Sequence, residues 1–267
     1  MPGHTALLDA LKTRFGDLGD AQADADLSAL TLMAMRGSCR SFKPDPVPTD
    51  LIRILSATAL SSPTKSDLQQ RDIIELRAPD KRRALAALIP GQSWIANAPS
   101  ILIFCGNNRR QRLLHEWHDV PFDNDHFDAV FNAIGDAAIA LGAFVTAAEA
   151  VGLGCCPISA VRNEAQAVSD LLALPDHVFP FAGLAVGYPE QTPEISMRLP
   201  LRVTAHVDGY SEAGLREAVE AYDAQRVKNR VGSSTDKGWS HDKTRQYSAP
   251  ERADFGAFIR TKGFDLT

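Results

Sequence analysis

Apolar positions recur every three to four residues through several stretches of this chain and run almost unbroken through others, two patterns that separate helix from buried strand. Residues 6–17 and 21–35 read as two helices. The second is rich in alanine and leucine, both good helix formers, and carries Leu27, Leu30, Leu32, Met33 and Met35 into its end. Thr49-Asp50 opens a helix from Leu51 to Leu60 with Leu51, Ile54, Leu55 and Thr58 on one face. Pro79 to Leu88 is a short charged helix. The longest helical pattern runs from Phe127 to Val151, with Val130, Ile134, Ala137, Leu141, Val145 and Ala148 in phase. Its small residues Gly135, Ala138, Gly142 and Ala147 permit close helix packing, which marks it as the central core helix and a candidate subunit interface. Gly152-Leu153-Gly154 ends it with residues that tolerate positive φ. Further helices are expected from near Asn163 to Leu174, over Gly214 to Arg226 and over Phe255 to Arg260.

Three segments read as strands: Arg71 to Leu76, Ser100 to Cys105 and Phe179 to Val186, with a fourth, short one over Val203 to Val207. The run Ser100-Ile101-Leu102-Ile103-Phe104-Cys105 is apolar at nearly every position, as in a strand buried on both faces. Gly187-Tyr188-Pro189 is a turn, residues 189–200 an irregular arm carrying Arg198, and residues 228–247 a basic, mobile-looking stretch with Lys228, Arg230, Lys237, Lys243 and Arg245. Residues 107–127 resist reading. His118, Asp119, Asp123, Asp125 and His126 suggest either a metal site or a polar connection, and their spacing matches no zinc or facial-triad pattern.

Composition narrows the class. The chain has 267 residues, 45% hydrophobic and 23% charged, with a net charge of -5. That balance provides no global attraction to nucleic acid or an anionic membrane. No apolar run comes near the roughly 20 residues of a membrane helix, and the first residues lack a signal-peptide pattern. The four cysteines, Cys39, Cys105, Cys155 and Cys156, show no metal spacing. Reduced thiols in a cytoplasmic protein are expected.

Candidate chemistry gathers at Arg36-Gly37-Ser38-Cys39-Arg40-Ser41-Phe42, followed by Lys43-Pro44-Asp45-Pro46-Val47-Pro48. The prolines end the preceding helix, so Arg36, Ser38 and Arg40 stand where helix gives way to loop. Arginine offers a rigid fork of donors suited to phosphate. Two readings stand on these residues alone, an anion site or a solvated helix end. The chain has no GxGxxG, P-loop, GxSxG or HExxH motif.

The motifs taken together resemble the FMN-dependent nitroreductase family, in particular its group A oxygen-insensitive NADPH nitroreductases and NADPH–flavin reductases. The resemblance runs from about Leu27 to the C-terminus. Arg36-Gly-Ser-Cys-Arg-Ser-Phe is similar to a basic-x-Ser-x-Arg-x-Phe signature, which assigns Arg36, Ser38 and Arg40 to the FMN phosphate. Thr64-Lys65-Ser66-Asp67-Leu68-Gln69 resembles the loop beside the isoalloxazine, bringing in Thr64, Ser66 and Gln69. Pro90-Gly91-Gln92 resembles a segment whose glutamine bonds the flavin. Gly152 through Asn163 is similar to a segment whose backbone N–H groups face flavin N5 and O4, here Pro157, Ile158, Ser159 and Ala160. Ser196-Met197-Arg198-Leu199-Pro200 resembles Lys-Pro-Arg-Leu-Pro, a second grip on phosphate through Ser196 and Arg198. Ser196 stands in place of the family's lysine, and Ser159-Ala160 in place of Gly-Gly. Asp67 falls over the substrate pocket, and Arg230 and Lys237 align with an NADPH-binding loop.

The resemblance implies an α+β, nitroreductase-like fold with a central, mostly antiparallel sheet flanked by helices, in an intertwined homodimer with FMN at its interface. It divides the chain into an N-terminal helical extension over residues 1–26 and a nitroreductase-like domain with a C-terminal arm over residues 27–267. It implies an enzyme that takes electrons from NADPH or NADH and reduces nitroaromatics, quinones or flavins by ping-pong two-electron transfer, with flavin N5 carrying the hydride and no metal. Alternatives are an FMN reductase that supplies reduced flavin to a partner, and a flavin-binding protein with little turnover. The partners implied are a second copy and a small-molecule electron acceptor, with no nucleic acid and no membrane.

Overall fold

The computed structural model describes residues 2–16, 26–229 and 237–267. The chain divides into two compact units, one of Ser38–Pro193 with Arg252–Thr267, the other of Met1–Gly37 with Glu194–Glu251.

The larger unit is built on a four-stranded sheet in the order β1-β2-β4-β3, every neighbouring pair antiparallel. The strands are β1 (Arg71–Leu76), β2 (Ser100–Asn107), β3 (Gly154–Ile158) and β4 (Val178–Gly187). Each residue of β2 is buried. Because successive side chains point to opposite faces, Leu102 and Phe104 feed one core while Ile101, Ile103 and Cys105 feed the other. The first core is covered by α3 (Thr49–Leu60) and α6 (Phe127–Ala150), where Phe144 meets Phe104 edge-on at 5.8 Å between ring centroids. The second is covered by α4 (Pro79–Ala87) and α7 (Ala165–Leu171), through Leu85 and Val168. Two-sided burial is the physical reason that β2 carries no polar alternation. The final helix α11 (Phe255–Thr261) packs Phe258 and Ile259 against Val130 and Ala133 of α6.

Helix α6 corrects one expectation. By length and composition it could cross a membrane, with a mean hydropathy of 1.6 over its most apolar window. Its apolarity has a nearer cause, since Ala133, Ala137, Ala140, Phe144 and Ala148 are all fully buried. The same helix buries one carboxylate, Asp136.

In the smaller unit, α1 (Pro2–Phe15) packs Leu7 and Ala10 against Ala34 of α2 (Ser28–Met35). Of the helix expected over residues 21–35, positions 21–25 lie outside the described residues. The unit also holds α8 (Leu201–Thr204), α9 (Leu215–Asn229) and α10 (Gly238–Tyr247).

Several elements differ from the sequence reading. Val203 to Val207 is no strand: Val203 lies in α8, and Val207 is 84% exposed, with no strand beside it among the described residues to supply the partner a β-residue needs. The basic stretch beyond Lys237 is helix α10, held on α9 by the edge-on pair of Trp239 and Tyr222 and by Asp223 accepting from the backbone N–H of Ser240 at 3.0 Å. Residues 109–117 form helix α5 (Arg109–Trp117). β3 was hidden behind the glycines that end α6. Pro157 fits there because β3 is an edge strand, where a missing N–H costs no ladder bond. Helix α7 stops at Leu171 rather than Leu174, as Ala173 turns to φ 53°.

Candidate functional site

The candidate residues fall into groups that follow the two units. In the larger unit, the stretch after Gly37 alternates between outside and inside. Ser38 and Arg40 are exposed, while Cys39 between them is 3% exposed. The Cys39 N–H donates to the carbonyl of Cys155 in β3 at 3.0 Å, so the stretch docks along the open edge of the sheet. Gly154 makes this docking possible, because a Cβ there would stand 2.6 Å from Cys39 Cβ. Phe42 then bridges to Pro189, and its ring lies over Gly187, where a Cβ would approach it to 2.9 Å. The inward Cys39 and Phe42 therefore set the outward direction of Ser38 and Arg40. The edge strand continues from Cys155 to exposed Pro157, and a helical turn over Ser159–Arg162 follows, with Ser159 exposed and Ala160 buried. The Arg162 guanidinium is held below that turn by the carbonyl of Phe181 at 2.6 Å.

The segment Thr64 to Gln70 is a tightly constrained loop of this unit. Ser66, Asp67 and Gln69 all have positive φ, at 48°, 57° and 51°. Three non-glycine residues in the left-handed region cost about 1–3 kcal/mol each unless their surroundings over-determine them. The ties are numerous. Asp136 Oδ1 accepts from the N–H of Lys65 at 2.9 Å, and Oδ2 accepts from the N–H of Gln70 at 2.8 Å. Arg71, itself buried, stands 3.8 Å from Oδ2 and donates to the carbonyls of Leu60 and Ser62 at 2.8 and 2.9 Å. From the other side, Arg110 donates to the carbonyls of Gln69 and Arg71 at 2.6 and 2.9 Å, and Gln111 to that of Leu68 at 2.5 Å. Gln69 bonds the Asp67 carboxylate at 3.0 Å. Ser66, Asp67 and Gln69 remain exposed, and Thr64 is half-buried. Gln92 is half-buried and leads into a turn over Ser93–Ile95, after Gly91 at φ 85°.

In the smaller unit, Arg36 caps the end of α2 with extended dihedrals. Arg14 of α1, 6% exposed, gathers the backbone around it. Its guanidinium donates to the carbonyls of Ala34 at 2.8 Å, Arg36 at 2.5 Å and Ser196 at 3.1 Å. The N–H of Arg198 donates back to the Arg14 carbonyl at 2.5 Å. The Arg36 and Ser196–Arg198 segments, distant in sequence, therefore meet on one buried cation. Arg198 is exposed, and its guanidinium turns to Ser196 Oγ at 2.7 Å. Beside it lies a cleft of about 580 Å³ lined by Arg198, Arg226, Lys243, Tyr222 and Trp239. Lys237 is exposed at the start of α10 and does not line that cleft, and Arg230 lies outside the described residues.

Sequence reasoning missed Asp136, Arg110, Gln111 and Arg14. The one available signal was a carboxylate in the middle of an otherwise apolar helix, at Asp136. The stretch 107–127 is used structurally. Arg112 grips Asp125 at 2.5 Å and holds its carboxyl below the usual carboxylate range, and His115 Nδ1 lies 2.8 Å from the Pro121 carbonyl. The four cysteines are buried thiols. Burial raises Cys39 and pushes Cys105 up to about 12, which leaves them poor nucleophiles.

Comparisons with known proteins bear on the family and the fold. The family model for the nitroreductase family matches residues 33–188, and that for its C-terminal domain matches residues 196–267. An FMN reductase [NAD(P)H] of Bacillus subtilis is 30% identical over 86% of this chain and 94% of its own length. An oxygen-insensitive NADPH nitroreductase of Salmonella typhimurium is 29% identical over 85% and 93%. The solved structure of B. megaterium NfrA2 superposes with a TM-score of 0.85 at 30% identity, covering 90% of this chain and 98% of that one. Signature, sheet and relatives converge: the chain belongs to the nitroreductase family.

Proposed function

We propose that this protein is an FMN-dependent NAD(P)H oxidoreductase that reduces nitroaromatics, quinones or flavins. The observation that carries the reading is the docked signature, in which Cys39 faces the sheet and Ser38 and Arg40 face out. A guanidinium and a hydroxyl two residues apart offer donors suited to a phosphate monoester. The relatives named for FMN and NADPH support the same reading.

On this reading Arg36, Ser38 and Arg40 hold the FMN phosphate, and Ser196 and Arg198 add to that grip. Thr64, Ser66, Gln69, Gln92 and the backbone from Pro157 to Ala160 orient the flavin ring. FMN, when bound, supplies two-electron transfer between a nicotinamide and an acceptor. The chain contributes binding, orientation and fixed dipoles, which need no reorganisation at the moment of reaction. Asp67 faces the acceptor, and Arg230 and Lys237 receive NADPH. The protein works as a cytoplasmic homodimer. Its thiols and the exposed apolar Phe131 and Ile139 on α6 and Ile54 on α3 support that assignment.

The test is an anaerobic stopped-flow mix of the FMN-loaded protein with NADPH and then with NADH, following flavin absorbance. Rapid bleaching, faster with NADPH, is expected. A flavin that stays yellow with both would overturn the reading.

A further inference from the structure

We infer that Asp136, with Arg110 outside it, is a positioning residue that fixes the Thr64–Gln69 loop in the one shape in which it can meet the flavin and the acceptor. The inference rests on the flavin reading above.

A loop with positive φ at Ser66, Asp67 and Gln69, whose side chains are exposed, has few ties of its own: the Leu68 N–H donates to the Lys65 carbonyl at 2.9 Å and the Gln69 N–H to Thr64 Oγ1 at 3.3 Å. The other ties come from groups that grip its backbone from outside. Asp136 accepts one N–H at each end of the loop, at Lys65 and at Gln70. The two oxygens of a single carboxylate therefore fix the distance between the loop's ends. Arg110 and Gln111 satisfy carbonyls along the far side, at Leu68, Gln69 and Arg71. Arg110 is itself fixed by Asp72 at 2.7 Å. Arg71 braces the loop's near end against the end of α3 through Leu60 and Ser62. Side chains from outside the loop thus take up the N–H groups of Lys65 and Gln70 and the carbonyls of Leu68 and Gln69, while Ser66, Asp67 and Gln69 are exposed.

Only a carboxylate can serve at position 136. It accepts at both oxygens, whereas an amide accepts at one and presents a donor to the other N–H. Asp136→Asn must therefore break one end of the loop and leave Arg71 beside a neutral partner. Arg110→Gln keeps the fold, since the side chain is 43% exposed, and releases the loop's outer carbonyls.

The experiment compares wild type, Asp136→Asn and Arg110→Gln by amide hydrogen exchange of the peptide spanning residues 64–71, by FMN titration and by the visible circular dichroism of bound FMN. Both variants are expected to exchange at least 10-fold faster in this peptide with the sheet unchanged. FMN should bind about 10-fold more weakly and its dichroic band should change. KM for the acceptor is expected to rise more than kcat falls. If exchange accelerates while FMN affinity, dichroism and KM stay at wild-type values, the clamp is merely structural and the inference fails. If exchange does not change, the clamp itself is refuted. Should Asp136→Asn fail to fold, Arg110→Gln alone decides between these outcomes. A wild type that takes up no FMN refutes the flavin reading, and the inference with it.

Discussion

The guanidinium of Arg14 donates to the carbonyl oxygen of Arg36 at 2.5 Å. The donor sits in a helix that precedes the part of the chain matched by the family models, and the acceptor is the first basic residue of the signature. The same guanidinium reaches Ala34 and Ser196, so one buried cation satisfies three carbonyls from two separate segments. These aligned carbonyl dipoles face the buried charge and tie the backbone of Arg36 to that of Ser196.

Replacement of Arg14 by Gln leaves buried carbonyls short of donors. Hydrogen bonds to charged groups are worth roughly 1.5–3 kcal/mol, and a loss of that order is expected in urea unfolding of the whole chain. FMN content after purification should drop as well, because Arg36 loses its backbone tie. Wild-type stability in Arg14→Gln would show the cation to be dispensable.

Arg40 is exposed in the docked signature, next to buried Cys39. Arg40→Ala is expected to fold normally and to bind FMN about 10- to 100-fold more weakly, the equivalent of one charged phosphate hydrogen bond at roughly 1.5–3 kcal/mol. Fluorescence titration of the apoprotein measures it, and full occupancy in the variant would remove Arg40 from the site.

Gly154→Ala tests how the signature is seated. The added methyl would lie 2.6 Å from Cys39 Cβ and 2.7 Å from its sulfur, so β3 or the signature has to move. Overpacking of this kind costs about 1–3 kcal/mol. A lower midpoint in guanidinium chloride, together with weaker FMN binding, is expected. An unchanged midpoint would mean that the signature is free to shift.

Stability should fall on mild acidification. Burial pushes the His177 ring below its ordinary value of 6.5, the nearby Arg112 adds to this, and its Nε2 lies 2.9 Å from the Gly263 carbonyl. The folded protein therefore takes up this proton less readily than the unfolded chain. The contribution is fully present above the unfolded value of 6.5 and is lost as pH falls below it toward the folded value. Asp125 acts in the same direction at lower pH. Its pairing with Arg112 contributes above 3.8 and disappears as the carboxylate protonates. Thermal melts between pH 8 and 5 should show a decline that His177→Gln flattens. Parallel curves for the two proteins would assign the decline elsewhere.

Periodicity and composition alone determined a good deal here. The apolar run of β2, the long pattern of α6 and the turn after β4 are local signals, because two-sided burial and a 3.6-residue repeat leave their marks in consecutive residues. The basic signature was equally legible as a cluster, since its spacing is written along a few positions. Tertiary structure decided the rest. β3 lay behind two glycines, and only pairing with β4 makes Gly154–Ile158 a strand. Val203 had strand character but lies in helix α8, with no strand to join among the described residues. The residues that fix the site are the least visible ones. Asp136 is separated by 66 positions from Gln70 and Arg14 by 182 from Ser196, and nothing in the sequence around each member names its partner. A hydrogen bond between groups so far apart is specified by where the chain folds, because a carboxylate or guanidinium acquires its role only from the backbone brought within its reach.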